Sequence, residues 1–130
     1  MNKKELKFIL QQGEGQHIEF KESFDKSLAK EIVAFANAMG GRIFLGVDDK
    51  NRISGCKLTN KLKSRIINMA HNCDPKIEIL VSSFDNIIII EVKESDNKLH
   101  KCSFGFYMRK GANSQKMTRD EIMDLSLIHI

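Results

Sequence analysis

The sequence predicts an α+β domain in which helices pack on a mixed, mostly antiparallel sheet. Apolar residues between Leu28 and Met39 recur at helical spacing, which predicts an amphipathic helix. The stretch Ile77 to Val81 alternates between apolar and polar residues, whereas Ile87 to Ile90 is apolar on both faces. A turn at Phe84 to Asn86 joins these stretches, so they are predicted to form a hairpin whose second strand lies centrally in the sheet.

The N-terminal part is predicted to alternate between helices and strands. Lys3 to Gln11 forms a short helix that ends at a glycine-rich stretch. His17 to Lys21 alternates as a half-buried strand, in which Glu19 points outward from the core. After the amphipathic helix, Gly40 suits a left-handed C-cap, and Arg42 to Val47 forms the next strand.

The C-terminal part is predicted to add two helices and a last strand. A helix runs from the N-cap Thr59 and stops before Asp74, since Pro75 disfavours helical geometry in the preceding residue. The alternation from Phe106 to Arg109 predicts a strand. Thr118 and Glu121 have the spacing of a capping box, which opens a final helix.

The composition is that of a globular protein with one core. The chain has 130 residues, of which 42% are hydrophobic and 29% are charged, so residues 1–130 are expected to form one domain. No linker or repeat indicates a second domain, although the chain is compatible with being the N-terminal part of a longer protein. The longest apolar run, Ile87 to Ile90, is too short to cross a bilayer, so we expect a cytoplasmic protein with no membrane partner.

The three cysteines, Cys56, Cys73 and Cys102, contain no CxxC pair. An odd number cannot pair completely within one chain, so a disulfide framework is not expected. The cysteines are predicted to be reduced thiols or metal ligands. No GxxxxGK[ST] motif is present, and Gly13-x-Gly15 is not a dinucleotide fingerprint, so no ATP site is predicted.

The charge of the chain favours a polyanionic partner. The net charge is +4 and the pI is near 9.0. One basic cluster surrounds the start of the Thr59 helix and contains Lys57, Lys61, Lys63 and Arg65. A second cluster near the C-terminus contains Lys98, His100, Lys101, Arg109, Lys110, Lys116 and Arg119. The alternative interpretation of both clusters is an ordinary solvated face.

Five segments in the same order resemble the Schlafen AlbA-type domain. They are Gly13 to Lys21, Ala34 to Gly41, Gly46 to Lys50, Ile53 to Cys56, and Tyr107 to Ala112. The resemblance covers nearly the whole chain and implies a mixed α+β nucleic-acid-binding domain, often found at the N-terminus of bacterial or archaeal transcriptional regulators. In vertebrate members, a similar domain is an endoribonuclease, and two copies lie side by side. The latter arrangement implies that a single copy forms a homodimer.

The resemblance also implies a catalytic triad. Matched position by position, the acids of the nucleases correspond to Glu14, Glu19 and Asp49. Three carboxylates need a hard cation such as Mg²⁺ or Mn²⁺, which would activate water and stabilise charge on phosphate. Lys21, on the strand face of Glu19, is predicted to contact phosphate. In the alternative interpretation, Glu14 solvates a loop, Glu19 pairs with Lys21 or Arg42, and Asp49 caps a turn.

Two His-x-Cys pairs form a second candidate site. His71 and Cys73, with His100 and Cys102, offer the two nitrogens and two sulfurs that tetrahedral zinc accepts. The vertebrate relatives carry a zinc site with a similar His-x-Cys followed by two cysteines, so His100 would replace one ligand here. In the alternative interpretation, Cys73 packs in the core and both histidines face solvent.

The sequence is compatible with three functions. The first is a binding module for RNA or DNA, with Tyr107 stacking on a base and cations contacting phosphates. Its predicted nucleic-acid-binding residues are Lys21, Lys61, Lys63, Arg65, Tyr107, Arg109 and Lys110. The second is a metal-dependent endoribonuclease, and the third is an oligomerisation or sensor module. We favour the binding module.

Overall fold

A computed structural model describes residues 1–128 of the chain. The helices are Lys3–Gln12 (α1), Leu28–Asn37 (α2), Asn60–His71 (α3) and Arg119–Ile128 (α4). The strands are Ile18–Lys21 (β1), Gly41–Leu45 (β2), Ile79–Phe84 (β3), Ile87–Val92 (β4), Tyr107–Lys110 (β5) and Asn113–Lys116 (β6). These elements confirm the α+β fold.

The main sheet has the strand order β1-β2-β4-β3. Only the β1–β2 pair is parallel, whereas β4 pairs antiparallel with both β2 and β3. The sheet is therefore mixed and mostly antiparallel, as predicted. Ile87, Ile88, Ile89 and Ile90 are all buried, which confirms that the fully apolar strand lies inside the sheet.

Apolar side chains cover both faces of this sheet. Ile43 and Ile90 lie on the face that packs against α2 and α3, where Phe35 and Ile66 are completely buried. Phe44, on the opposite face, belongs to a smaller cluster that includes residues of α1. The alternation along each strand therefore divides one sheet between two hydrophobic clusters. No helix in residues 1–128 has the length and apolar character needed to cross a membrane.

The separate β5–β6 hairpin packs beside α2 and is held there by Asn37. The Asn37 amide nitrogen donates to the carbonyls of His100 and Tyr107 at 2.9 and 3.0 Å, and its oxygen accepts from the His100 backbone N–H at 2.7 Å. Asn37 is only 2% exposed. These buried bonds fix the loop before β5 and place Arg109, in the middle of β5, over the edge of the main sheet.

Several details differ from the sequence predictions. Strand β3 is Ile79–Phe84 rather than Ile77 to Val81, so Phe84 belongs to the strand and not to the turn. Strand β2 ends at Leu45 rather than Val47, because Gly46 adopts a positive φ of 104° and its carbonyl accepts from the N–H groups of Ser54 and Gly55. Strand β6 was not predicted, because Asn113–Lys116 contains no apolar residue. Its pairing with β5, rather than its own pattern, makes it a strand.

Candidate functional site

Arg109 is the centre of a buried polar network at the open edge of β1. Its side chain is completely inaccessible to solvent. Nη2 donates to the carbonyls of Gly15 and Ile18, both at 2.8 Å, and Nε donates to Gly15 at 3.1 Å. Nη1 contacts Glu19 at 2.6 Å and Glu31 at 3.3 Å. The guanidinium thus connects the β5–β6 hairpin to the loop before β1 and to α2.

Glu19 does not point outward, contrary to the prediction. Its side chain is 14% exposed, because the hairpin that carries Arg109 covers this face of β1. Burial and a hydrogen bond with Glu14 raise the pKa of Glu19 to about 8, whereas Arg109 opposes the shift. The raised pKa means that the charged form of Glu19 is disfavoured in this cleft relative to a carboxylate in water.

Three predicted catalytic acids line one acidic cleft. This cleft has a volume of about 330 Å³, and Glu14, Glu19 and Asp49 line it together with Glu22. Glu14 also accepts a hydrogen bond from the backbone N–H of Phe20 at 3.1 Å, which fixes the loop against β1. Asp48 is used differently, since its Oδ1 accepts from the backbone N–H groups of Lys50 and Arg52 and closes the turn.

The acidic cleft has the donor chemistry of a hard-cation site. All of its acidic groups offer oxygen ligands, and the pKa of Glu19 is raised chiefly by burial and further by the neighbouring carboxyl groups of Glu14 and Glu31. However, within residues 1–128 no three His, Cys, Asp or Glu side chains are arranged as a metal-binding group. Glu14, Glu19 and Asp49 therefore share a cleft without forming a preformed ligand shell.

A larger basic cleft lies between the start of α2, one face of α3 and the loop before β5. Its volume is about 470 Å³. It is lined by Phe24, Lys26, Ala29, Arg65, Asn68, Met69, Asn72, Cys73, Cys102, Ser103 and Phe104. This lining contains two cations, two aromatic rings and no carboxylate. The electrostatic character of this cleft is therefore opposite to that of the acidic cleft.

Helix α3 presents its cations on two different faces. Arg65, Asn68 and Asn72 line the basic cleft at helical spacing, and Lys61 precedes Arg65 by one turn on the same stripe. Lys63 lies nearly opposite on the helix, because two residues rotate the chain by about 200°. Both lysines are exposed. Arg65 therefore lines the cleft, Lys61 lies one turn before it on the same side of the helix, and Lys63 lies on another side.

The remaining predicted nucleic-acid contacts are occupied or buried. Tyr107 is 8% exposed and belongs to the core, and Arg109 is fully buried, so neither side chain lies on a surface where nucleic acid could reach it. Lys21 donates to Ser27 Oγ at 2.7 Å, and its side chain is 16% exposed. Lys110 is exposed but pairs with Glu121 at 2.5 Å.

The four predicted zinc ligands have other partners. His71 Nε2 lies 3.0 Å from Glu78. His100, which is 2% exposed, contacts the Pro75 carbonyl through Nδ1 and Ser95 Oγ through Nε2, both at 2.6 Å. With both ring nitrogens engaged, His100 offers no free lone pair to a metal. Burial raises the pKa of Cys73 to about 12, and only Cys73 and Cys102 of the four line the basic cleft.

The comparisons with known proteins identify the family. The sequence profile described as Schlafen, AlbA_2 matches residues 14–118, which is most of the chain. The chain belongs to the Schlafen AlbA_2 family. This confirms the resemblance found in the sequence. No curated protein matches the chain.

Two solved structures share the fold of this Schlafen AlbA_2 domain. The DIP2311 protein from Corynebacterium diphtheriae is 18% identical with a TM-score of 0.62, over 84% of this chain and 23% of that chain. The N-terminal domain of a RecG-related protein from Nitrosomonas europaea is 22% identical with a TM-score of 0.51, over 88% of this chain and 90% of that domain. The present chain thus corresponds to a fraction of the DIP2311 protein and to nearly all of the second domain.

Several residues of this Schlafen AlbA_2 domain were not found by reasoning from the sequence. Glu31 and Ser114 complete the Arg109 network, and Ser114 Oγ donates to Glu31. Phe24 and Phe104 line the basic cleft, although the sequence places them in polar segments. An isolated aromatic residue in a polar loop was the available signal for these two residues.

Proposed function

We propose that this domain binds nucleic acid through the basic cleft. The observation that carries the proposal is a cleft of about 470 Å³ that combines Lys26 and Arg65 with aromatic and amide side chains and has no carboxylate in its lining. Phosphates would contact the cations, and the apolar surfaces would exclude water from the bases.

The cations of α3 are available for such a ligand. Helix α3 contains no acidic residue. Among the ion pairs formed within residues 1–128, none involves Lys61, Lys63 or Arg65. A cation without an internal partner keeps its counterions, and their release on phosphate binding favours association.

Family membership supports the same function. The RecG-related relative is named after an ATP-dependent DNA helicase, which is a protein that works on nucleic acid. In a longer protein, a domain of this kind would bring a second domain to nucleic acid. We therefore propose that the chain serves a transcriptional regulator as its nucleic-acid-binding part.

A binding titration tests this proposal. Purified protein is titrated into labelled RNA and DNA of equal length at 50, 100 and 200 mM salt, and fluorescence anisotropy gives the affinity. We expect affinity to fall steeply with salt, and Arg65→Ala to weaken binding to both polymers. The control is Lys7→Ala, since Lys7 is exposed on α1, which packs on the other face of the sheet. An unchanged signal with both polymers at the lowest salt would contradict the proposal and favour an oligomerisation or sensor module.

A second candidate function, phosphodiester cleavage, is favoured by the shared lining of the acidic cleft. Glu14, Glu19 and Asp49 would hold Mg²⁺ or Mn²⁺, which supplies an activated water and positive charge beside a phosphate. Glu22 lines the acidic cleft and Phe24 lines the basic cleft. The Cα atoms of Glu22 and Phe24 lie within about 7 Å of each other, since the residues are two positions apart. The two clefts are therefore close enough for one nucleic-acid strand to contact both.

Cation binding can be tested without measuring cleavage. A divalent cation competes with the proton on Glu19, so Mn²⁺ should raise the melting temperature more at pH 8 than at pH 6. Glu19→Gln and Asp49→Asn should remove this effect, whereas Glu78→Gln, an exposed acid outside the cleft, should keep it. Cleavage of labelled RNA with Mn²⁺ and with EDTA is scored in parallel. A Mn²⁺ shift that survives both cleft variants would contradict this candidate.

A further inference from the structure

We propose that the basic cleft holds an unpaired nucleobase, so that the ligand of this domain is single-stranded nucleic acid. This inference rests on the proposed function and specifies its ligand. The volume of about 470 Å³ lies within the range of about 300–1,000 Å³ that small-molecule pockets have, which suits one nucleotide rather than a duplex groove.

Two aromatic rings border the cleft from different elements. Phe104, in the loop before β5, is 39% exposed, and Phe24, in the loop before α2, is half-buried. When a flat apolar ligand covers an exposed phenylalanine beside a concave surface, the apolar surface of the ring is removed from water, which favours binding. Every base has a π-face, so stacking on such rings is available to any sequence.

Free amide and hydroxyl groups line the same cleft. Asn68, Asn72 and Ser103 are exposed. Among the hydrogen bonds formed within residues 1–128, none uses the side chains of these three residues. An amide side chain can donate one hydrogen bond and accept another, which suits the edge of a base, where donors and acceptors lie side by side. In a duplex the Watson–Crick edge is already paired, so only an unpaired base can present that edge to these groups.

Each ring is accompanied by a cation. Arg65 lies 4.8 Å from the ring centre of Phe24, and Lys30 lies 4.7 Å from that of Phe104. These contacts hold the aromatic rings in place and keep positive charge next to them. A nucleotide carries a flat base next to a negatively charged phosphate, so the base would contact a ring and the phosphate would contact the neighbouring cation. The cleft therefore offers complementary contacts to both parts of a single nucleotide unit.

The cleft also explains why a rigid duplex would bind less well. Bases in a duplex stack on one another, and their π-faces are covered, so they cannot contact Phe24 or Phe104 without being extruded. Extruding a paired base costs unstacking and unpairing energy, whereas a single strand presents bases without that cost. Phosphate contacts to Lys26 and Arg65 would remain available to both forms.

The test compares single-stranded and duplex oligonucleotides of the same sequence and length, with Phe104→Ala as the main variant. We expect wild-type protein to bind the single strand more tightly than the duplex. Phe104→Ala should weaken single-strand binding by about five- to 150-fold and leave duplex binding unchanged, since base stacking on one aromatic side chain has that magnitude. Phe8→Ala is the matched control, because Phe8 is 60% exposed on α1, away from the cleft.

A second variant keeps the inference testable if Phe104→Ala fails to fold. Asn72→Ala removes an exposed amide of the cleft and should weaken single-strand binding without lowering thermal stability. Equal affinity of wild type for duplex and single strand, with no effect of Phe104→Ala or Asn72→Ala, would overturn the inference while leaving the proposed function intact. If wild type binds neither polymer at low salt, the proposed function fails as well.

Discussion

The acidic cleft and the basic cleft use their charged residues in opposite ways. Around the acidic cleft, Glu19 is engaged by Arg109, a guanidinium with no solvent exposure. Around the basic cleft, Arg65 is exposed and has a phenyl ring rather than a carboxylate as its neighbour. The buried charge of Arg109 stabilises the fold, whereas the exposed charge of Arg65 remains available to a ligand.

This contrast shows that the type of a residue does not identify its role. Arg65 and Arg109 are both arginines in basic clusters of the sequence, and both were predicted to bind nucleic acid. Burial separates them, because a guanidinium with five satisfied donors inside the protein has no capacity left for a phosphate.

Removing Arg109 should cause the largest loss of stability. Arg109→Ala leaves the Glu31 carboxylate without its cation and the buried Glu19 carboxyl without its donor, and leaving buried partners unpaired in this way costs about 3–5 kcal/mol. Urea unfolding followed by circular dichroism measures this loss. Lys110→Ala is the adjacent control, since solvent screens its exposed pair with Glu121 and its loss should change stability far less. Equal losses for the two variants would mean that the network is not structural.

The pH dependence of stability should have a distinct component from Glu19. Its pKa is raised from 4.5 to about 8 in the folded protein, so its contribution is fully present below about pH 4.5 and is lost as pH rises through about 8. The slope from one such group is at most about 1.4 kcal/mol per pH unit. Glu19→Gln should flatten the profile between these pH values in urea unfolding series.

Glu121 provides a control with the opposite sign. Its pKa is lowered to about 2, chiefly by Lys110, so its contribution is present above its ordinary pKa and is lost as pH falls through about 2. Glu121→Gln should therefore leave the profile between pH 4.5 and 8 unchanged. If Glu19→Gln also leaves it unchanged, Glu19 does not retain a proton in the folded state.

The N-cap of α3 stabilises the helix that forms one wall of the basic cleft. Thr59 accepts a hydrogen bond from the backbone N–H of Leu62 at 3.1 Å, as its predicted N-cap role requires. Thr59→Ala should lower the free energy of unfolding by about 1 kcal/mol, whereas Thr59→Ser should retain most of it. Because the cap lies outside the lining of the cleft, nucleic-acid affinity of the folded variant should stay close to that of wild type. A large loss of affinity with Thr59→Ser would contradict this division.

The fold could be predicted because it follows from local patterns. The alternation in β1, the apolar run of β4 and the capping box of α4 each depend on residues close together in the sequence. The exception, β6, is polar and becomes a strand only through its partner β5. Pairing partners of that kind are not encoded in the strand itself.

The candidate site could be predicted only in part. Glu14, Glu19 and Asp49 share a cleft, as the family resemblance implied. The burial of Glu19 could not be predicted, because the residue that covers it, Arg109, lies 90 positions away in the sequence. Similarly, Phe24 and Phe104 line one cleft although 80 positions separate them, and Asn37, distant from Phe104 in the sequence, bonds to the loop before β5.

The smallest predicted effect separates two neighbouring lysines of α3. Lys61 lies on the stripe that lines the basic cleft, and Lys63 lies on nearly the opposite side of the helix. If the cleft binds phosphate, Lys61→Ala should reduce the slope of log affinity against log salt by about 0.7–0.9, the value for one lost contact, and Lys63→Ala should leave the slope unchanged. Both substitutions remove the same charge from the same exposed helix, so long-range electrostatics affects them alike. A difference between them therefore reports the location of the bound strand, whereas equal slopes would mean that the whole of α3, rather than its cleft face, attracts the ligand.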